Sequence, residues 1–473
     1  MNLWKNTLNP CRTVKIWSKH VRSFIQFRYV SNHPMLYPVM GFLILIAVGT
    51  VLLLMPFSSH NGLSFFDALF MATSASCVNG LSVISVGQDL TRAGQIVLMC
   101  LAEVGGTGIM ALSTTIMLLI HSKMNFGQQS VLISSYSSEN FSSGYIIKQV
   151  IKVTVMVELF GAVVLFSQWE NLPLGEKIFN SVFHSVSAFC NAGFSLMDNS
   201  MIGFYDNWVV NLALIFLIIC GGFGFLSLSE LIGKRKNGNN RARVLTLHTR
   251  LVCIMVPLLI GFGTLAFLGT EWNGSLKDLQ LSDKILVSLF QSVTSRSAGL
   301  NTTNFSALGA STLFLIIILM FIGANPGGCG GGIKTTTAAI IGLLGFNRFL
   351  GRQKTQVFNR TIPEATVDRA MRIFLLSIIV IVLGCILLLI FETENLQGKA
   401  SQALFLSVLF ETVSAFSTCG LSMGITPDLS SVSKVVISIV MFVGRLGPLV
   451  LVQAVISSPK AGAYYSEENV MVG

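Results

Sequence analysis

Hydrophobic positions along this chain come in runs of two lengths. Eight long runs lie at about 36–56, 93–120, 148–168, 207–232, 247–270, 311–343, 369–392 and 430–457. About 20 apolar residues cross the ~30 Å hydrocarbon core of a bilayer as a helix, so each long run predicts a membrane span, the sixth of them interrupted. Four shorter runs, at about 64–78, 177–190, 283–296 and 401–416, cannot cross and read as re-entrant half-helices. Irregular backbone at membrane depth survives only against protein or a water-filled cavity, which places these short segments inside the molecule.

Each short run leads into a polar turn that ends in glycine: SASCVNGLS at 74–82, SAFCNAGFS at 187–195, TSRSAGLNT at 294–302 and SAFSTCGLS at 414–422. The repeating unit is therefore span, half-helix, glycine turn, span, copied four times. This predicts an all-α integral membrane fold with four such units in pseudo-four-fold array around one central pore. The boundaries are a basic tail at 1–35, units at 36–120, 148–232, 247–343 and 369–457, and a C-terminal tail at 458–473. Ser64 with Asp67, and Ser282 with Asp283, are expected to cap the first turns of their half-helices. Glycines in the second spans (EVGGTGIM, CGGFGFLS, VGRLGPLV) suit close helix packing in lipid.

Composition agrees with this class: 52% hydrophobic residues, 11% charged residues and a mean hydropathy of +0.72 set soluble domains aside. The net charge of +10 does not form a nucleic-acid stripe. Its lysines and arginines gather before the first span, between the fourth and fifth, and between the sixth and seventh. That pattern puts these loops and both termini in the cytoplasm of a multi-pass protein of the cytoplasmic membrane, with lipid as a partner and no role for nucleic acid. The cysteines fall almost entirely inside apolar segments, with no CxxC or Cys/His spacing, so neither a disulfide framework nor a structural metal site is indicated. The six histidines are scattered, and His184, inside a half-helix, reads as a satisfied buried side chain; no catalytic constellation is present. An enzyme is not expected.

Four like turns around an axis can direct backbone carbonyls at a dehydrated cation, and glycine permits the dihedrals that this requires. The candidate filter is Val78, Asn79 and Gly80; Asn191, Ala192 and Gly193; Ser297, Ala298 and Gly299; and Thr418, Cys419 and Gly420. No carboxylate lies in the turns, which favours carbonyl coordination of a monovalent ion. Arg296 is expected to point behind the filter and brace half-helix ends, and Cys77, Cys190 and Cys419 to be buried fillers. In the sixth span, GANPGGCGGG cannot remain helical. Gly323, Asn325, Pro326, Gly327, Gly328, Cys329, Gly330, Gly331 and Gly332 form a candidate gate, with Arg445 of the last span placed to donate to its carbonyls. A nucleotide loop is excluded because Ile333 separates Lys334 from its glycine. Lys334 is expected to snorkel, and Glu103 to pair with a basic group.

With these motifs in place, and with GQIVLMCLAEVGGTGIM, GGGIKTTT and GRLGPL alongside them, the chain resembles the Trk/Ktr/HKT superfamily of potassium transporters over about 36–457. It is most similar to the bacterial KtrB pore-forming subunit. The resemblance implies potassium ion as substrate, with no covalently bound cofactor and with sodium left open as an activator. It also implies a homodimer seated on a cytosolic ring of nucleotide-binding regulatory subunits, with filter glycines at 80, 193, 299 and 420, a gate at 323–332 and the family's last-span arginine at Arg445. Asn79 stands where the family usually has Thr, and Asn325, Pro326 and Cys329 replace the usual hydroxyl residues of the gate. A sodium-selective or sodium-coupled pore of the same fold and an alternating-access transporter are the rival readings; the second predicts inverted rather than like-oriented repeats.

Overall fold

The computed structural model describes residues 36–108, 143–169, 172–232, 245–392 and 401–448. Both predicted tails, residues 121–142 of the polar segment and most of the basic loop after the fourth span lie outside these residues.

Fourteen α-helices and two short 3-10 turns make up the described fold, with one two-stranded hairpin, β1 (Gln356–Val357) and β2 (Arg360–Thr361). The first group is α1 (Leu36–Leu54), α2 (Phe65–Ser76) and α3 (Arg92–Thr107); the second is α4 (Ser143–Phe166), α5 (Leu174–Phe189), α6 (Trp208–Gly222) and α7 (Phe225–Ile232). The third is α8 (Leu247–Glu271), α9 (Leu281–Thr294), α10 (Ala310–Phe321) and α11 (Thr335–Phe349); the fourth is α12 (Glu364–Glu392), α13 (Ser401–Ser417) and α14 (Ser431–Leu446). The short helices α2, α5, α9 and α13 occupy the four short apolar runs.

At 25 and 29 residues, α8 and α12 are long and apolar enough to cross a bilayer as single helices. Other long runs are shorter in the described residues, for two reasons. The runs that contain α3 and α14 leave the helix at Gly108 (φ 86) and Gly447 (φ 84) just before they pass out of the described residues, and two further runs are broken. The break between α10 and α11 was legible as a glycine-rich stretch. The break between α6 and α7 was not: Gly224 turns there at φ +90, and a Cβ on it would sit 2.5 Å from the Pro326 carbonyl oxygen of the other break.

The polarity of the fold is inverted relative to a water-soluble bundle. The outer faces of the long helices carry bare apolar side chains such as Leu159, Val163, Leu265 and Ile390, each more than 60% exposed. Ser74, Ser76, Ser185, Thr294, Ser295, Ser414 and Ser417 of the short helices are fully buried. Burying a hydroxyl costs free energy unless it is bonded, whereas an exposed aliphatic face costs little in hydrocarbon, so this distribution suits lipid outside and polar atoms inside.

The short helices α2, α5 and α13 each pack between two long helices of their own group, while α9 packs on α8 of its own group and on α6 of the group before it. The groups are then joined in one direction: α3 packs on α5, α6 on α9, α10 on α13, and α14 back on α2. Lys434 of α14 reinforces the last of these joints, reaching Asp67 of α2 at 2.7 Å. A second device recurs at the ends of the long helices. Asn207 donates to Gln168 at 3.1 Å, Gly309 N to Glu271 at 3.1 Å and Ser430 N to Glu392 at 2.8 Å, while Thr91 N donates to the Ser58 carbonyl at 3.1 Å. Every group thereby ties the end of its first long helix to the start of its second.

Ser64 caps α2 as expected, its Oγ accepting from Asp67 N at 3.2 Å. Ser282 does not cap α9: Leu281 begins the helix, Gln280 occupies the cap position, and the Ser282 hydroxyl turns to Asp283 at 3.2 Å.

Candidate functional site

The site is built from the loops that follow α2, α5, α9 and α13. Within each, the residue two before the glycine adopts a left-handed conformation: Val78 at φ 56, Asn191 at φ 58, Ser297 at φ 66 and Thr418 at φ 47. The glycine itself follows at φ 96, 71, 81 and 85 respectively. Left-handed backbone at a non-glycine residue costs about 1–3 kcal/mol, and Val78 and Thr418, being β-branched, are poorly suited to it. Four such residues at matched positions show that all four turns are wound in the same way.

Local hydrogen bonds explain how the winding is held. The helix ends on a tight chain reversal in which Asn79 N donates to Ser74 O at 2.7 Å, Ala192 N to Ser187 O at 2.7 Å, Cys419 N to Ser414 O at 2.9 Å and Ala298 N to Thr294 O at 3.0 Å. Hydroxyls then clamp the exit from the turn: Ser74 donates to Leu81 O at 2.7 Å, Ser187 to Phe194 O at 2.7 Å, and Thr294 to Leu300 O. The fourth turn lacks this clamp, because the Ser414 hydroxyl has no partner. A further side chain braces each turn from behind. His184 meets Ser195 at 3.2 Å, Met71 accepts from Ser82 at 3.4 Å, Gln291 reaches Thr303 at 2.9 Å, and Glu411 receives Ser422. His184 is thus one member of a set of positional counterparts, with its other ring nitrogen on Asn180 O at 2.8 Å, and it serves packing as the sequence suggested.

The four turns meet. A Cβ built on Gly80 would lie 2.6 Å from the Ala192 carbonyl oxygen, one on Gly193 would lie 3.0 Å from that of Ala298, and one on Gly299 would lie 2.5 Å from that of Cys419. A Cβ on Gly420 would collide with the carbonyl oxygen of Asn79, so the sequence of contacts returns to its start. No side chain fits at any of the four positions. Val78, Asn79, Asn191, Ala192, Ser297, Ala298, Thr418 and Cys419 are all completely buried, which leaves the backbone as the material of the central surface. Asn79 does not present its amide to the centre: its Nδ2 donates to Ala415 O at 2.9 Å and its Oδ1 accepts from Leu81 N at 3.2 Å.

The glycines of the second long helices set the depth of the half-helices. Gly105 faces the Ser76 carbonyl, Gly221 that of Phe189 and Gly444 that of Phe416, and in each case a Cβ would strike the oxygen. The third group departs from this rule. Between Phe321 and Thr335 the chain leaves the helix as a loop, closed at its neck by Gly323 N to Ile333 O at 2.9 Å and Thr335 N to Ala324 O at 3.2 Å.

Gly323, Asn325, Pro326, Gly327, Gly328, Cys329, Gly330, Gly331 and Gly332 all lie in this loop, and side chains from other groups hold it against the turns. Asn325 N and Cys329 N donate to the carbonyls of Gly222 and Gly221 at 3.1 and 3.0 Å, which are free because α6 ends there. Gly331 N donates to the Thr418 hydroxyl at 2.7 Å. Arg445 donates to the carbonyls of Cys329 and Gly105, joining the last helix to the loop and to α3. The sequence brought Arg445 to the loop correctly.

Three expectations need correction. Lys334 does not snorkel; its ammonium folds back onto Gly330 O at 2.6 Å and helps to hold the loop. Arg296 points away from the turn, but its partner is the Thr335 hydroxyl at 3.2 Å, at the far side of the break, rather than a half-helix end. Glu103 has no basic partner among the described residues. Its carboxylate accepts from the Cys190 thiol at 3.0 Å, and the ligand atoms of Glu103, Glu158 and Cys190 all lie within 4.8 Å of one another. Nothing local in the sequence links residues this far apart.

Comparison with known proteins now adds what geometry alone cannot. Residues 13–463 match the family described as TrkH: Cation transport protein. The chain belongs to the TrkH family. Members of this family are membrane cation transporters, not enzymes, and the chain is a potassium-transport homologue within it. It is 34% identical to the Ktr system potassium uptake protein B of Bacillus subtilis (strain 168) over 92% of this chain and 95% of that one. It is also 34% identical to the potassium/sodium uptake protein NtpJ of Enterococcus hirae, over 92% of this chain and 96% of that one. Among solved structures, the potassium transporter TrkH from Vibrio parahaemolyticus matches with a TM-score of 0.68 at 21% identity, covering 88% of this chain and 85% of that one. At that identity the structural likeness establishes the shared fold.

Proposed function

We propose that this TrkH-family chain takes up potassium ion across the cytoplasmic membrane through one central pore, around which the four groups of helices stand in pseudo-four-fold array. The observation that carries the reading is the closed sequence of glycine-to-carbonyl contacts from Gly80 round to Asn79. Backbone oxygens there stand in for the water that a monovalent cation loses on entering, and the four short helices direct their negative C-terminal ends to the same region. The ion is the substrate, and no covalently bound cofactor takes part.

The loop at 323–332 is the gate in this proposal, latched by Arg445, Thr418 and Lys334 beneath the turns. Release of a few side-chain bonds opens it without disturbing the hairpins above. A cytosolic regulatory subunit is the natural source of that release, in line with relatives named as parts of a Ktr system. We extend the proposal to a homodimer on a ring of nucleotide-binding subunits, with both termini of each pore subunit in the cytoplasm.

Sodium deserves a second reading because of Asn79. Its amide is spent on bracing the first turn against α13, so the first turn offers the ion no side-chain oxygen. A relative named as a potassium/sodium uptake protein is consistent with a pore that admits both ions, or with sodium as an activator.

Rubidium uptake into a potassium-auxotrophic host expressing the full chain with its regulatory partner tests the main proposal. Rescue of growth, and its loss with Gly193→Asp, is expected; rescue that survives this substitution would remove the ring from the ion path. Reversal potentials under mixed potassium and sodium gradients separate the two ions.

A further inference from the structure

Beside the third turn lies a cavity of about 20 Å³, lined among others by Ile218, Gly222, Phe223, Val256, Arg296 and Asn325. Most of its wall is apolar. Two buried polar atoms on its lining residues nevertheless lack any partner: the Arg296 Nε donor and the Asn325 Oδ1 acceptor. Neither side chain can swing to another partner without loss, since Arg296 Nη2 is held by Thr335 at 3.2 Å and Asn325 Nδ2 by the Gly222 carbonyl at 3.2 Å. A buried donor and a buried acceptor left open on residues that line one cavity carry a desolvation penalty that natural proteins rarely leave uncompensated.

The size of the space decides what can fill it. A single water needs roughly 10–15 Å³ of this kind of volume and two to four polar neighbours. A potassium or sodium ion would sit against a guanidinium and be repelled. An apolar ligand would leave both polar atoms unpaired, and an anion large enough to bridge them lacks room.

We propose that one ordered water occupies this cavity, accepting from Arg296 Nε–H and donating to Asn325 Oδ1, and that the bridge makes the third turn and the gate loop move together. Arg296 directly precedes Ser297, the left-handed residue of the turn, while Asn325 fixes the loop to Gly222 through both its backbone and its side chain. Asn325 is a positioning residue here: it acts on ion passage through the loop that carries it. The consequence for transport rests on the filter and gate roles proposed above; the water itself does not.

Electron cryomicroscopy of the full transporter with its regulatory partner in lipid nanodiscs, at a resolution that shows bound waters, tests the site directly. Density within hydrogen-bond reach of both atoms is expected. An empty cavity, or a direct Nε–Oδ1 bond, overturns the proposal even if uptake behaves as foreseen. The coupling is tested by rubidium uptake in the absence of the regulatory partner, for Arg296→Lys, Asn325→Leu and the double variant. Because Arg296→Lys also frees Thr335 and Asn325→Leu also frees the Gly222 carbonyl, each single change predicts a rise of about fivefold or more, and a shared water worth one ordinary hydrogen bond makes the pair fall about fivefold short of the product of the two. A pair whose effect equals the product of the single effects would show that no bridge joins them. Thermal melting of each purified variant confirms that a folded protein is being compared.

Discussion

The ring of turns and the loop beneath it are made of similar residues, rich in glycine and small polar side chains, yet they are held in opposite ways. Each turn is fixed mainly by its own hairpin: Asn79 N to Ser74 O, Ala192 N to Ser187 O and Cys419 N to Ser414 O are all contacts within a few residues. The loop is closed on itself at its neck, by one turn from Gly328 N to Asn325 O at 3.0 Å, and by Lys334 on Gly330 O. Elsewhere it relies on bonds lent by distant elements, from Thr418, Arg445 and the carbonyls of Gly221 and Gly222. Local bonds are replaced as fast as they break, because their partners stay close in the chain. Borrowed bonds can be lost together, so the loop is suited to release and the ring to permanence.

The largest blow to this contrast is a side chain in the ring. Gly420→Ala places a Cβ on the Asn79 carbonyl at a residue with φ +85. Strain and overpacking together cost about 2–5 kcal/mol, and rubidium uptake normalised to protein in the membrane should fall at least about thirtyfold. Uptake within twofold of the parent would show that ions pass elsewhere.

Next in size is the latch. Arg445→Gln removes the charge that joins Cys329 O to Gly105 O, and bonds to charged groups are worth about 1.5–3 kcal/mol each. Partner-free uptake should rise about tenfold; a folded variant with unchanged or slower uptake would deny the latch. Thr418→Val sharpens the comparison further, since Thr418 belongs to the fourth turn and also accepts from Gly331 N at 2.7 Å. One neutral bond of about 1 kcal/mol predicts a rise of about fivefold. A fall instead would place its main duty in the ring.

The smallest effects separate equivalent serines. Ser187→Ala deletes the clamp on Phe194 O at 2.7 Å and should lower potassium-over-sodium selectivity by about threefold in reversal-potential measurements, from a bond of about 1 kcal/mol. Ser414→Ala deletes a hydroxyl with no partner and should stay within about 0.5 kcal/mol of the parent. Equal effects at both sites would dissolve the distinction between clamped and unclamped turns.

Much of this architecture was legible because its signals are short-range. Apolar runs of two lengths, a glycine after each short run, and a proline among glycines in the sixth span are all readable within twenty residues. What escaped depends on meetings between remote segments. The break after Gly222 follows from the loop pressing on Gly224, and no proline marks it. Lys334 looked free to reach the membrane surface, but the Gly330 carbonyl four residues away was nearer. Glu103 invited a basic partner, and the fold gave it Glu158 and Cys190 instead. Ser282 had the chemistry of a cap but stood two positions too late.

The joint between α14 and α2, with Lys434 on Asp67, brings together nearly the two ends of the described chain. A nascent polypeptide can therefore insert three-quarters of its helices without completing the enclosure, and the closure waits for the last helix to leave the ribosome.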